Sequence, residues 1–136
     1  MDYLALKNEI LNDPETLGYA GKSDLEIAVL MNTIGLSNEK IDRGVIPSYE
    51  VINATIPSEW AALTAAEKQR YQTITGAGQI DSSNANVRAT FQAMFGAGTQ
   101  TRINLTALLQ RPASRAEVLG FGSINHSDIA KALRGI

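Results

Sequence analysis

The stretch between residues 84 and 117 constrains the fold of this chain more than any other. It holds two hydrophobic patterns of helical period, and a short glycine-rich turn separates them. In the first pattern the apolar side chains recur at i, i+4, i+7 and i+8, which places them on one face of a helix. These side chains are Val87, Phe91, Met94 and Phe95. That face must be buried, so the first helix predicts part of a hydrophobic core.

A second helix is predicted after the turn at residues 96–98. Glycine enters the left-handed conformation of a helix C-cap without a side-chain clash, so we expect the first helix to end at Gly96. Thr99 is placed to cap the next helix. Three apolar side chains then share one stripe of that helix: Leu105, Leu108 and Leu109. The pair predicts an αα-hairpin around which the rest of the chain packs.

Helix starts elsewhere predict an all-α fold. Three pairs have the spacing of a capping box, in which the side chain of each residue bonds to the backbone N–H of the other. They are Ser23 with Glu26, Thr64 with Glu67, and Ser114 with Glu117. Glycines and prolines mark the helix ends between them. The sequence therefore predicts a compact bundle of about six or seven short helices around the hairpin, forming a single helical domain over residues 1–136.

The first two helices have apolar stripes that identify their expected core faces. Tyr3, Leu6 and Ile10 share a stripe behind a cap at Asp2. The second helix begins after the Ser23 cap, and we expect Leu25 and Val29, with Leu30 and Ile34, to line its buried side.

Periodicity fails between residues 35 and 47, where turn-forming residues accumulate. A connection of this length is longer than most in a compact domain, and such loops are often functional or mobile. An exposed contact arm and an irregular loop laid over the core both fit this pattern. A short β-ribbon within the segment is a further alternative.

Composition limits the class of protein. A hydrophobic content of 44% with 19% charged residues is ordinary for a globular chain. The uninterrupted apolar runs are far shorter than the roughly 20 residues that cross a bilayer, so we expect no membrane span. The N-terminal residues do not resemble a secretory signal, and we expect the protein to be made and used in a cytoplasm. The chain has no cysteine, which excludes disulfides and thiolate metal sites.

The net charge of −2 conceals an asymmetry between the two halves of the chain. Residues 1–68 hold eleven acidic and five basic side chains, a net −6, whereas residues 69–136 hold three and seven, a net +4. In one interpretation the halves fold together with their charges solvated on separate faces. In the other, copies associate head to tail, with an acidic face against a basic face.

No set of residues predicts catalysis or a cofactor site. The three Gly-x-Gly pairs lack the third glycine of a dinucleotide fingerprint and the Lys-Ser/Thr of a Walker loop, and helix capping explains them. His126 is the sole histidine, and no acidic partner is singled out for it. We therefore expect no catalytic residue, no cofactor and no metal. A helix-turn-helix over residues 114–134 is disfavoured because its turn is too long and the chain is acidic overall.

Six segments, in this order, resemble a group of small helical proteins encoded in the structural gene modules of tailed bacteriophages and prophages. They are MDYLALKNEILNDPETLGYAG, SDLEIAVLMN, EVINA, EWAALTAAEKQ, FGAGTQTRINL and SRAEVLGFG. The resemblance covers nearly the whole chain. It implies a non-enzymatic virion assembly protein, of the kind that serves as a head-tail connector or adaptor (head completion) in the neck of the particle.

The resemblance also implies partners. We expect a homo-oligomeric ring that binds the portal or neighbouring neck and tail proteins, close to the DNA channel but without sequence-specific DNA binding. The loop at residues 35–47 and the C-terminal tail are the expected contact segments, represented by Lys40, Ile41, Arg43, Val45, Ile46, Arg134 and Ile136. The alternative is a small phage regulator or host-defence inhibitor, similar to anti-CRISPR proteins, which binds nucleic acid or a host protein.

Overall fold

The chain is mostly helical, with four very short strands. A computed structural model describes all of residues 1–136. In chain order the elements are α1 (Tyr3–Asn12), α2 (Asp24–Asn32), β1 (Lys40–Asp42), β2 (Val45–Pro47), α3 (Ser48–Ala54), α4 (Pro57–Ala61), α5 (Ala65–Thr75), β3 (Gln79–Asp81), α6 (Ala85–Met94), α7 (Gln100–Leu108), β4 (Gln110–Pro112), α8 (Arg115–Val118) and α9 (His126–Arg134). The predicted helical class is confirmed in outline, but nine helices replace the six or seven expected, and small sheets are added.

The strands form two separate two-stranded sheets. β2 pairs antiparallel with β3, and Ile46 lies opposite Ile80 in the register. β1 pairs with β4. Segment 35–47 therefore contains strands, as one alternative predicted, but the strands do not pair with each other as a local ribbon. Each finds its partner more than 30 residues away, where no short-range sequence signal could indicate it.

The chain divides into two compact units. Unit 1 combines Met1–Ile41 with Pro112–Ile136, and unit 2 is the continuous segment Asp42–Arg111 between them. Each unit has its own hydrophobic core. The expectation of one domain over residues 1–136 stays a prediction.

Unit 1 is built from α1, α2, α8 and α9. α9 packs on α1 and α2, and α2 also packs on α8. Leu6, Met31 and Ile129 are completely buried at the centre of this core. The predicted stripe on α1 is confirmed, because Leu6 and Ile10 are buried and Tyr3 packs against them.

The predicted core face of α2 is wrong for Leu25, Val29 and Ile34, which are exposed, whereas Leu30 packs against the core. Leu25 is 63% exposed and Val29 is 58% exposed, whereas Ile27, Ala28 and Met31 are buried. This helix carries apolar side chains around most of its circumference, so its hydrophobic pattern fits a core on either side. The contacts with α8 and α9 decide which side is buried, and the sequence of α2 does not contain that information.

A buried ion pair joins α1 to α8 within unit 1. The Arg115 guanidinium donates from Nε to Oε1 of Glu9 at 2.7 Å and from Nη2 to Oε2 at 3.0 Å. Only 10% of the Arg115 side chain and 5% of the Glu9 side chain are exposed. The same guanidinium binds Glu39, and its hydrogen bonds to Glu9 raise the pKa of Arg115. Burial, with the negative charge of Glu9, raises the pKa of Tyr19, whose hydroxyl also donates to Glu9.

Unit 2 holds the remaining helices, and α3 occupies a central position in it. α3 packs against α5, α7 and β2. One core cluster is aromatic, with the Tyr71 ring edge-on to Phe91 and Phe95 at centroid distances of 6.2 and 6.4 Å. A second cluster consists of buried Ile46, Val51 and Ile80.

The two helices of the predicted αα-hairpin form, but the rest of the chain does not pack around them, because unit 1 has a core of its own. α6 and α7 form where the sequence predicts them, and Thr99 caps α7. α7 packs most extensively on α3, and Phe91 of α6 and Leu105 of α7 pack against the same core clusters. The helix α6 ends through extended backbone at Phe95, which is 1% exposed, and Gly96 is not left-handed. Burial of the Phe95 ring therefore sets the direction of the chain after α6, and a glycine cap does not.

Candidate functional site

The seven residues predicted to make contacts lie in several different environments. Lys40, Val45, Arg134 and Ile136 are exposed, Ile41 and Arg43 are half-buried, and Ile46 is buried. The exposed contact arm expected at residues 35–47 is replaced, over its second half, by the strands β1 and β2. Lys40, Ile41, Arg134 and Ile136 belong to unit 1, and Arg43, Val45 and Ile46 belong to unit 2.

Ile46 is the buried member of the predicted contact set, and its role as a contact residue stays a prediction. It is 3% exposed and packs with Val51 and Ile80 in the core of unit 2. Its neighbour Val45 is 54% exposed. Successive side chains of a strand point to opposite faces, and β2 places Ile46 on the buried face.

Arg43 and Arg134 are both paired within their own unit. Arg43 donates two hydrogen bonds to the Glu50 carboxylate, at 3.2 and 2.6 Å. These bonds raise the pKa of Arg43 and lower the pKa of Glu50. Arg134 binds Asp24 in the same bidentate manner, close to Ile136, which is 81% exposed. Neither guanidinium is left without an acidic partner.

Unit 2 contains an apolar groove. It has a volume of about 310 Å³, and α6 and α7 both line it. Buried Ile46, Val51 and Ile80 line the part nearest the core. Further apolar side chains come from the two helices: Val87, Phe91, Leu105, Leu108 and Leu109. The stripes that predicted a hairpin core thus form the walls of a groove.

Two guanidinium groups lie among the groove-lining residues. Arg88 is exposed and donates only from Nε, to the carbonyl oxygen of Ser82 at 2.5 Å. Arg102 is half-buried and makes no side-chain hydrogen bond or ion pair. No Asp or Glu lines the groove. An apolar surface with two uncompensated positive charges favours an occupant that is apolar and carries a negative charge.

A charge pattern in the sequence could have indicated this groove. Residues 82–116 contain four arginines and no Asp or Glu. A stretch of this length without any acidic residue has to leave some of its positive charges without a local partner. Of the groove-lining residues, only Ile46 was a predicted contact residue.

Two exposed apolar stripes occur on the helices of unit 1. The α2 stripe consists of Leu25, Glu26 and Val29, all exposed on the side of α2 that faces away from the core. The α1 stripe consists of Leu4, Lys7 and Leu11, and its two leucines are 69% and 65% exposed. The two stripes resemble each other in apolar content but carry charges of opposite sign.

The lining of the groove supplies groups suited to binding. It offers apolar surface, hydroxyl and amide side chains and two cations, without a histidine or carboxylate to transfer a proton. Nowhere in the chain do three or more histidine, aspartate or glutamate side chains gather in a cluster able to hold a metal ion. None of the helices has both the length and the hydropathy that spanning a membrane requires.

Comparison of the chain with protein-family models, with curated proteins and with solved structures gives no match.

Proposed function

We propose that this chain is an assembly subunit of a tailed-phage particle, which forms a ring at the neck and contacts the portal or adjacent neck and tail proteins. It is made in the cytoplasm of the bacterial host and acts in the virion without catalysing a reaction. The order of sequence segments that resemble phage structural-module proteins supports this class of function. The proposed role is geometric, because the helical body fixes the spacing between subunits.

The observation that carries the proposal is the pair of exposed surfaces on one small chain. The α2 stripe and the groove in unit 2 are both apolar, and they carry opposite charges. Contiguous exposed apolar patches mark interaction sites, and a chain that serves as a building block of a ring needs two such sites. The uncompensated Arg102 in the groove supports recognition of a negatively charged partner surface.

Quantitative mass spectrometry of purified virions tests this function. We expect the protein to be present in the particle at a fixed ratio to the portal protein. We expect it to be absent from capsids that lack a neck. Native mass spectrometry of the purified protein mixed with the portal from the same gene module should show a complex. Absence of the protein from complete, infectious virions would overturn the proposal.

A regulator or host-defence inhibitor that binds nucleic acid is the second candidate. Arg88 and Arg102, which lie in a stretch without acidic residues and form no ion pair, favour it. This function predicts that the chain binds a fluorescent DNA or RNA duplex, with an affinity that falls steeply as salt rises. Fluorescence anisotropy with duplex and single-stranded probes distinguishes the two candidates, because an isolated ring subunit does not need to bind nucleic acid.

A further inference from the structure

We propose that copies of this chain join head to tail, with the α2 stripe of one copy seated in the unit 2 groove of the next. This inference deepens the proposed function, since it rests on the chain being a ring subunit and names the surfaces that join neighbours. The occupant of the groove is then a second copy of the same protein.

The groove specifies an apolar occupant with a nearby carboxylate. Its apolar walls come mainly from α6 and α7, Arg88 and Arg102 supply positive charge, and no Asp or Glu is among the lining residues. A volume of about 310 Å³ accommodates a few side chains of a helix but not the helix itself. The groove therefore suits a helix that presents two apolar side chains and one acidic group on a single face.

The α2 stripe meets this description. Leu25 and Val29 are one helical turn apart, a rise of about 6 Å, so they project side by side. Glu26 lies on the same exposed face, and no hydrogen bond or ion pair occupies its carboxylate. Docking would remove both apolar side chains from water and place the Glu26 carboxylate near the unpaired guanidiniums.

The other exposed apolar helix face of unit 1 does not meet the description. The α1 stripe is as apolar as the α2 stripe, but Lys7 lies between its two leucines. A lysine brought to Arg88 and Arg102 would place like charges together, which opposes binding. Charge thus selects α2, and it makes α1 a matched control.

The proposed contact is heterologous, because each copy contributes a different surface. A contact of this kind leaves one free stripe and one free groove on every dimer, so it continues until a ring closes or a filament grows. It also fits the charge asymmetry of the sequence, because Glu26 lies in the acidic half of the chain and Arg88 and Arg102 lie in the basic half.

Complementation between two blocked variants tests the proposal. The stripe variant carries Leu25→Ser and Val29→Ser, and the groove variant carries Arg102→Glu. Each change lies at an exposed or half-buried position, and circular dichroism and the melting temperature confirm that the variants fold. Native mass spectrometry and sedimentation velocity should show wild-type oligomers, and each variant alone should associate about tenfold more weakly or worse.

An equimolar mixture of the two variants should form a 1:1 heterodimer and nothing larger. The groove variant retains an intact stripe, the stripe variant retains an intact groove, and the remaining surfaces are blocked. The control variant, with Leu4→Ser and Leu11→Ser on the α1 stripe, should assemble as the wild type does. Oligomers that persist in both blocked variants, or a mixture that stays monomeric, would overturn the proposal.

Two further outcomes would overturn it by assigning the groove to another occupant. One is a monomeric wild-type protein that carries an apolar acid, seen as added mass in native spectra and lost in the Arg102→Glu variant. The other is a monomeric protein whose portal complex, but not its self-association, depends on Arg102. Presence in virions is measured separately, so failure of this inference and failure of the proposed function give different results.

Discussion

Arg115 pairs with Glu9, whose side chain is only 5% exposed, and this environment explains why a guanidinium is needed there. The Glu9 carboxylate is almost fully buried and receives two of its hydrogen bonds from this one guanidinium. A planar guanidinium matches both carboxylate oxygens at once, which a lysine could not do. Removal of Arg115 would leave a buried negative charge with only the Tyr19 hydroxyl as a partner.

We expect Arg115→Ala to lower the free energy of unfolding by about 3 kcal/mol, the lower end of the cost of breaking a buried pair. Urea denaturation followed by circular dichroism measures this change. Arg134→Ala is the matched control, because the Arg134 side chain is 49% exposed in its pair with Asp24. Its unfolding curve should overlay that of the wild type. Equal stability of the two variants would contradict the structural importance assigned to Arg115.

Thr101 is the corresponding residue of unit 2. Its side chain is completely buried, and its hydroxyl accepts a hydrogen bond from the Ile56 N–H at 2.9 Å. The same hydroxyl donates to Oε1 of Glu59 at 2.5 Å. One oxygen atom therefore connects the starts of α4 and α7.

Thr101→Val keeps the shape of the side chain but removes both hydrogen bonds, and we expect a loss of about 1–3 kcal/mol in unfolding free energy. The N–H of half-buried Ile56 would lose its partner, which is the main cost. Thr73→Val on the exposed side of α5 is the control, because the Thr73 hydroxyl bonds only to the Gln69 carbonyl of its own helix. A Thr101→Val variant as stable as this control would show that water replaces the lost hydroxyl.

At the scale of the elements, the start of α7 is capped twice. Thr99 is the N-cap residue, as the sequence predicts, and its hydroxyl accepts from the Arg102 N–H. Glu59 of α4 adds a carboxylate that accepts from the N–H groups of Gln100 at 3.2 Å and Thr101 at 2.7 Å. A negative charge at a helix N-terminus is also stabilised by the helix dipole.

This arrangement makes unit 2 sensitive to acid. Hydrogen bonds from the Thr101 hydroxyl and from two backbone N–H groups lower the pKa of Glu59 in the folded chain. A carboxyl whose pKa is lower in the folded state stabilises the fold above its unfolded pKa, and this contribution is lost as the pH falls through the folded pKa.

We therefore expect Glu59→Gln to lower the melting temperature at neutral pH and to reduce its fall in acid. Thermal denaturation at a series of pH values, compared with the wild type, measures both effects. Parallel curves for the two proteins, displaced by a constant amount, would mean that Glu59 is not a source of the acid sensitivity.

The sequence predicts interactions between residues close together in the chain better than interactions between distant ones. The capping boxes of Thr64 with Glu67 and Ser114 with Glu117 are confirmed, because all their partners lie within one helical turn. The Glu59 cap on α7 crosses 42 residues and has no local signal. The same holds for the strand pairs, and for α2, whose two apolar sides could not be ranked without its neighbours.

The candidate site was less predictable than the fold. Apolar residues of α6 and α7 were assigned to a hairpin core from their period, which reports a common face but not what covers it. Packing of α7 on α3 leaves part of these faces as the walls of the groove. The sequence alone does not single out Arg88 and Arg102, because their expected role depends on the apolar walls beside them.

For the whole molecule, the proposed head-to-tail contact combines apolar burial with charge attraction. Sodium chloride screens exposed charges, since the Debye length falls from about 10 Å at 0.1 M to about 3 Å at 1 M. We expect self-association to weaken over this range, by about tenfold or less, because the apolar part of the contact remains. Sedimentation velocity at the two salt concentrations checks this. Association that strengthens in sodium chloride would argue against a role for Arg88 and Arg102.

Unit 1 is formed by two segments of the chain with unit 2 between them, and this order affects folding during synthesis. Its first segment leaves the ribosome with Leu6 and Met31, whose partners on α9 follow only after unit 2. At about 5–20 residues per second, unit 2 takes roughly 4–14 s to translate, and unit 1 lacks its second segment during that time. During that interval the nascent α1 and α2 expose apolar surface to chaperones and proteases. A chain truncated near Arg111 would contain all of unit 2 but would lack the second segment of unit 1, so unit 1 could not fold.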